Sequence, residues 1–190
     1  VDQVLRDARE QLRDPQSKLL LEIQQALKDL KQARTLREED EWAASRDPKT
    51  QVETLNLLRS TRQRVEEAEK TMTRLMTDRN ARYLESWSAE QWIALRRNTR
   101  YHRARSAFER AYWYADEDRL NRVEALQSAS ATLQDVAGQL GTDEPLWWDV
   151  VLAQVRALRQ LQQDQEAWQL LRKIDLASAP LKFRPWIVAE

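Results

Sequence analysis

Only two glycines occur in this 190-residue chain, Gly138 and Gly141, three positions apart. Glycine enters left-handed backbone at no steric cost, and tight strand-to-strand turns depend on it. Outside residues 138–141 no turn of this chain has that residue, so hairpin-rich β architecture is disfavoured. Alanine, leucine, glutamine, glutamate and arginine dominate instead, and all are good helix formers. The sequence predicts an all-α chain.

Lysine plus arginine and aspartate plus glutamate both number 31, so the net charge is zero. That balance weakens any case for nucleic acid or an acidic membrane as a partner of the whole protein. There is no cysteine, which removes disulfides, thiolate catalysis and cysteine-ligated metals together. A cysteine-free chain suits the cytoplasm, or an exported protein that needs no disulfide and has lost its signal. No apolar run approaches the ~20 residues of a membrane span, so membrane insertion is not expected. The chain starts at Val1 without a signal-peptide pattern, as expected of a processed chain or an excised domain.

Residues 1–13 carry one short apolar helix face, Val1, Leu5, Ala8 and Leu12. Asp14-Pro15 and Asp47-Pro48 each read as an N-cap followed by proline at the first helical position. After the first comes a stripe of Leu20, Ile23, Leu27, Leu30 and Ala33, running to about Ala44. After the second come Leu58, Thr61, Val65, Ala68, Met72 and Leu75, spaced by alternating threes and fours. Two long amphipathic helices with a short polar break favour an antiparallel hairpin. Their outward faces are dense in Arg, Lys and Glu, the pattern of a solvated surface. Thr61 on the seam argues against a long free coiled coil.

The character changes at residue 80, beyond which most of the tryptophans lie. Residues 1–79 are expected to form the hairpin. Residues 80–190 are expected to form a Trp-rich region, packed on the first as one structural unit or standing as two small subdomains. Ser88-Ala89-Glu90-Gln91 is a capping box that opens a helix. That helix could run through Asp118 unless it breaks near Arg97-Asn98-Thr99, and Asp118 can cap the next. The next helix puts Leu120, Val123, Leu126, Ala129, Leu133 and Val136 on its apolar side and ends at the two glycines. After Pro145 a helix restarts in which Asp149, Arg156, Gln160 and Gln163 form a narrow polar stripe. A helix so apolar must be covered by neighbours on two sides. A shorter partner follows, with Ala167, Trp168, Leu171 and Ile174 expected inward. The tail "APLKFRPWIVAE" reads as a capping turn or the start of another unit.

Residues from about 104 to 176 resemble the tetratricopeptide family of stacked helix pairs. In "LWWDVVLAQVRALRQLQQDQEAWQLLRKI" the helix–short polar turn–helix layout matches, with Ala167 at the family's second-helix alanine and Leu171 at the large apolar position after it. Pro180 falls one residue beyond the family's closing proline. Val151, Gln154-Val155 and Leu158 stand where the family has tryptophan, leucine-glycine and tyrosine. The resemblance implies a right-handed stack of helix pairs with a concave surface for peptides or other proteins. It carries over no ligand-clamping residue, because the positions that match are packing positions. The expected fold is thus all-α: a long helical hairpin followed by tetratricopeptide-like stacked helix pairs.

Candidate chemistry is sparse. His102 is the only histidine, which removes His-based triads and multi-histidine metal sites. The acids Glu38 to Glu41 and Asp116 to Asp118 sit near expected helix ends, where solvated acids are ordinary. No catalytic residue, metal or cofactor is expected. Arg96, Arg100, Arg103 and Arg110 follow one helical face, and arginine without lysine favours bidentate recognition of carboxylate or phosphate. The alternative is that this face pairs with acids of a neighbouring helix. In "RAYWYADEDR" three consecutive aromatics span too much of the helix for one core. Tyr112 is expected in the core, while Trp113 and Tyr114 meet either a second neighbouring helix or a partner. Trp147 and Trp148 are adjacent, so one is expected inward and the other on a flank or groove.

These features predict a non-catalytic protein-interaction or scaffold module. Its partner is another protein or peptide, an acidic one fitting best, and its candidate contacts are Arg96, Arg100, Arg103, Arg110, Trp113, Tyr114, Trp147 and Trp148. The alternative is nucleic-acid or other polyanion binding through Arg96–Arg110. A third reading is an all-α enzyme or ligand-binding domain in the Trp-rich half.

Overall fold

The computed structural model describes residues 15–42, 47–77, 87–114, 118–174 and 180. Among these every regular element is a helix: α1 (Pro15–Trp42), α2 (Pro48–Thr77), α3 (Ala89–Trp113), α4 (Arg119–Ala137), α5 (Pro145–Gln160) and α6 (Asp164–Leu171). None of these helices is long and apolar enough to cross a membrane. The helix expected at residues 1–13, and the tail apart from Pro180, lie outside the described residues, as do Asp116 and Glu117. The chain divides into two compact units, Val1–Ser106 and Ala107–Glu190, with the division inside α3.

In the first unit α1 and α2, of 28 and 30 residues, pack along each other as an antiparallel hairpin. Leu19 and Ile23 near the start of α1 meet Ala68, Met72 and Leu75 near the end of α2. The α2 seam is buried as its spacing predicts: Leu58, Thr61, Val65, Ala68, Met72 and Leu75, with Thr54 one turn earlier. The two buried threonines leave no hydroxyl unsatisfied, because Thr54 Oγ1 donates to the Thr50 carbonyl at 2.8 Å and Thr61 Oγ1 to that of Leu57 at 3.0 Å. Each buried leucine, valine or methionine contributes roughly 1.5–3 kcal/mol, so this seam carries the hairpin.

The α1 stripe differs from expectation at two places. Leu19 and Ala26 are buried, while Leu20 and Leu27 are only half-buried at the edge. Positions 19, 23, 26, 30 and 33 keep the alternating four-three rhythm that faces a partner helix, and Ala26 is small enough for close approach. Across the hairpin Arg64 lies 3.2 Å from Glu22 and 3.7 Å from the buried Asp29, whose other oxygen accepts from Gln25 at 2.8 Å.

Local signals set the helix starts. The Asp47 carboxylate accepts from the backbone N–H groups of Lys49 and Thr50, at 3.2 and 3.0 Å, and from the Thr50 hydroxyl at 2.7 Å. The Thr50 hydroxyl, then the two amides, holds the Asp47 carboxyl below its ordinary pKa. At α3 the capping box forms as written: Ser88 Oγ accepts from Gln91 N at 3.2 Å and Gln91 Oε1 from Ser88 N at 2.8 Å. The helix does not break at Asn98, whose side chain donates to the Ala94 carbonyl at 2.9 Å. It ends at Trp113. Asp118 occupies the N-cap position of α4 at φ −90°, ψ 29°, away from the extended backbone that caps favour, and its side chain makes no capping hydrogen bond.

In the second unit α4 packs on α5 and α5 on α6. Helix α5 is buried on more than one side, through Trp148, Val150, Val151, Leu152, Gln154, Val155, Ala157 and Leu158, as a helix between two neighbours must be. Its Asp149 and Arg156 are half-buried and Gln160 is exposed. On α4 the buried line starts at Ala125, and Leu120, expected inward, is 87% exposed on the first turn. On α6 Ala167 is buried and Ile174 beyond it closes the cluster, but Trp168 projects outward, 58% exposed. The inward line runs from Ala167 through Leu171 to Ile174, which leaves Trp168 a quarter-turn away; Arg172 lies 5.6 Å over its ring.

Neither glycine uses left-handed backbone; the positive φ among the described residues belongs to Gln162, at 61° in the turn between α5 and α6. Gly141 faces the Asp143 and Glu144 side chains. Its N–H donates to Glu144 Oε1 at 2.9 Å, and a Cβ there would stand 2.5 Å from the Asp143 carboxylate.

Candidate anion-binding groove

Helix α3 is buried along two lines. The expected one, Tyr101, Ala104 and Ala111, is buried with Phe108 half-buried beside it. The second, Thr99, Ser106, Glu109 and Trp113, has the same rhythm and is more deeply buried. Trp113 is 0% exposed, whereas Tyr112, expected in the core, is half-buried with its ring edge-on to Trp113 at 5.4 Å. Tyr114 is half-buried against Ala111, Ala125 and Leu126.

The paired tryptophans of α5 both touch one apolar cluster. Trp148 is 3% exposed in a cluster with Val151, Leu152 and Ile174, and Trp147 leans on the same cluster, edge-on to Trp148 at 4.9 Å. Trp148 is thus the inward ring, and the half-buried Trp147 lies on its flank in an edge-to-face contact, as expected of adjacent positions. Of the aromatic candidates, Trp113 and Trp148 therefore have almost no surface to offer.

The arginines separate into two groups. Arg110 belongs to the second unit. Arg96, Arg100 and Arg103 belong to the first, where they line an open groove of about 680 Å³ between α2 and α3. Helix α2 supplies Glu66, Glu69, Lys70, Thr73, Arg74 and Thr77 to the same groove.

One acid answers two of these cations. Glu69 Oε2 accepts from Arg103 Nη1, and Glu69 Oε1 lies 3.8 Å from Arg100 Nε. Glu66 is held within its own helix by Arg62 at 2.6 Å, and Lys70 by Glu67 at 2.7 Å. The Glu67 partner raises the Lys70 pKa. The side chains of Arg74 and Arg96 have neither hydrogen bond nor ion pair among the described residues, and both residues are exposed.

Helical register explains why. One turn beyond Glu69, α2 presents Thr73 and Arg74; one turn before Arg100, α3 presents Arg96. Thr73 and Thr77 turn their hydroxyls back to their own helix, donating to the Glu69 and Thr73 carbonyls at 2.9 Å. Among the described residues the groove's lining thus has five cations against two acids, in a chain of zero net charge. Arg74 was not visible as a site residue from its own surroundings. The signal was the change from Glu66 and Glu69 to Thr73 and Thr77 along one α2 face.

His102 sits beside this face without entering the groove. Burial, and then the charge of Arg105, pushes its pKa down to about 4, so it is neutral at pH 7. Among the described residues no group of three His, Asp or Glu side chains is placed to hold a metal. The acids Glu38 and Glu41 pair with Arg34 and Arg37 at 2.8 and 2.7 Å, one turn back. No protein family, curated protein or solved structure matches this chain.

Proposed function

We propose that this protein is a non-catalytic interaction or scaffold module that takes an acidic segment of another protein in the groove between α2 and α3. The observation that carries the reading is a local charge imbalance: Arg100 and Arg103 share Glu69, while the side chains of Arg74 and Arg96 on the same walls meet no acid among the described residues. Unpaired guanidiniums on facing helices attract carboxylates and orient them through paired N–H donors.

Fluorescence anisotropy with a labelled Glu-rich peptide tests this. Binding should weaken as salt rises. It should also fall at least about tenfold in Arg74→Glu/Arg96→Glu, while Arg119→Glu on α4 leaves it unchanged. Equal affinity in the groove variant and the wild type would refute the reading. Retention of single-stranded DNA in preference to the peptide would move the function to the polyanion class.

A further inference from the structure

The acidic-partner reading leaves open which anion the groove is built for, and Arg74 and Arg96 narrow it. Both line the groove, one from each wall, so two guanidiniums are available to an anion seated there. A carboxylate has two oxygens, and a single fork can engage both. A phosphomonoester has three terminal oxygens and nearly twice the charge, enough for both forks together. Among the described residues of α2 that line the groove, Thr73 and Thr77 occupy the positions after its last acid.

The other end limits how far negative charge can extend. Glu66 and Glu69 line the remainder of the groove, and Arg100 and Arg103 there are already engaged by Glu69. A strand with a phosphate on every residue would bring its next charges against these acids. One phosphate on an otherwise ordinary chain would not.

We infer that the Arg74–Arg96 end of the groove is a seat for a single phosphomonoester, a phosphoserine or phosphothreonine carried by the protein partner. This rests on the acidic-partner reading and sharpens it. The seat recognises charge and oxygen geometry. Arginine matters there for its fork, so lysine, which keeps the charge and loses the fork, is the diagnostic substitution.

The test titrates the full chain with four labelled probes: a peptide of otherwise uncharged residues with one central phosphoserine, the same peptide with serine, the same with glutamate there, and single-stranded DNA of equal length. The phosphopeptide should bind about tenfold or more tighter than the glutamate peptide, since one additional charge-assisted hydrogen bond is worth roughly that factor. Arg96→Lys and Arg74→Lys should each remove most of that advantage and leave the glutamate peptide nearly unaffected. Inorganic phosphate should compete with the phosphopeptide at millimolar concentration. Far-ultraviolet circular dichroism of both variants establishes that they fold. If the phosphoserine and glutamate peptides bind equally and both are lost in Arg74→Glu/Arg96→Glu, the phosphate seat is overturned and the acidic-partner reading stands. If no peptide binds, or DNA binds tighter than the phosphopeptide, both are overturned.

Discussion

Replacing Trp113 with alanine should destabilise the second unit severely, although a tryptophan beside two tyrosines in a charged helix looks like a surface contact. Its side chain is 0% exposed, and emptying such a site costs about 3–5 kcal/mol. The edge-on contact with Tyr112 at 5.4 Å adds a share of the ~1 kcal/mol typical of aromatic pairs. A loss of about 4 kcal/mol removes a third or more of a typical domain's stability. Trp168→Ala provides the control. That residue is 58% exposed, and its main loss is the contact with Arg172, worth about 0.5–1 kcal/mol. Urea denaturation followed by far-ultraviolet circular dichroism separates the two. With a slope of roughly 2 kcal/mol per molar urea, Trp113→Ala should lower the midpoint by about 2 M and Trp168→Ala by less than about 0.5 M. If the units unfold separately, the Trp113 effect belongs to the transition of the second. A Trp113→Ala midpoint within about 0.5 M of wild type, or equal shifts for the two variants, would show that Trp113 is not core.

Two further outcomes follow from single residues. The His102 pKa is about 4 when folded against about 6.5 unfolded, so the unfolded chain binds the extra proton first; stability is intact above pH 6.5 and declines as pH falls toward 4. The decline from this group is at most about 3 kcal/mol, and the gap between wild type and His102→Gln should narrow or reverse by about 2 kcal/mol between pH 7 and 4.5 in urea titrations; parallel pH profiles would count against it. Gln162 has φ 61°, a conformation that glycine adopts without the Cβ penalty, so Gln162→Gly should raise stability by about 0.5–1 kcal/mol; a thermal midpoint below wild type would contradict that account of the turn.

How much of this could be read from the residues depended on the range of the interaction. The α2 seam was legible throughout because each buried position repeats the same spacing, and even its two threonines satisfy themselves within the helix. The Asp47 and Ser88 caps were legible for the same reason, since each is closed by a residue three positions away. On α1 the pattern was ambiguous: Leu19 and Leu20 are adjacent leucines, and only the partner helix selects Leu19. On α3 the choice between Tyr112 and Trp113 could not be made from one helix, because each continues an evenly spaced line and the residues of the second, Ser106 and Glu109, look like surface.

The groove depends on the longest separations, and there composition misleads. Glu69 and Arg103 are 34 positions apart, and nothing near either one announces the other. A chain of zero net charge suggests that every arginine has its acid, and through Glu69 that holds for Arg100 and Arg103. Electrostatic balance acts over the screening length, about 10 Å, and not over the whole chain. Among the described residues, the walls of the groove hold Arg74 and Arg96 beside two threonines, where acids would have balanced them. Placing Glu at position 73 would extend the Glu66–Glu69 ladder by one turn and give Arg96 the partner that Arg100 already has. Thr73→Glu should therefore leave the fold intact while closing the groove to anions. Tight binding of the acidic peptide by that variant would show that the cations act elsewhere.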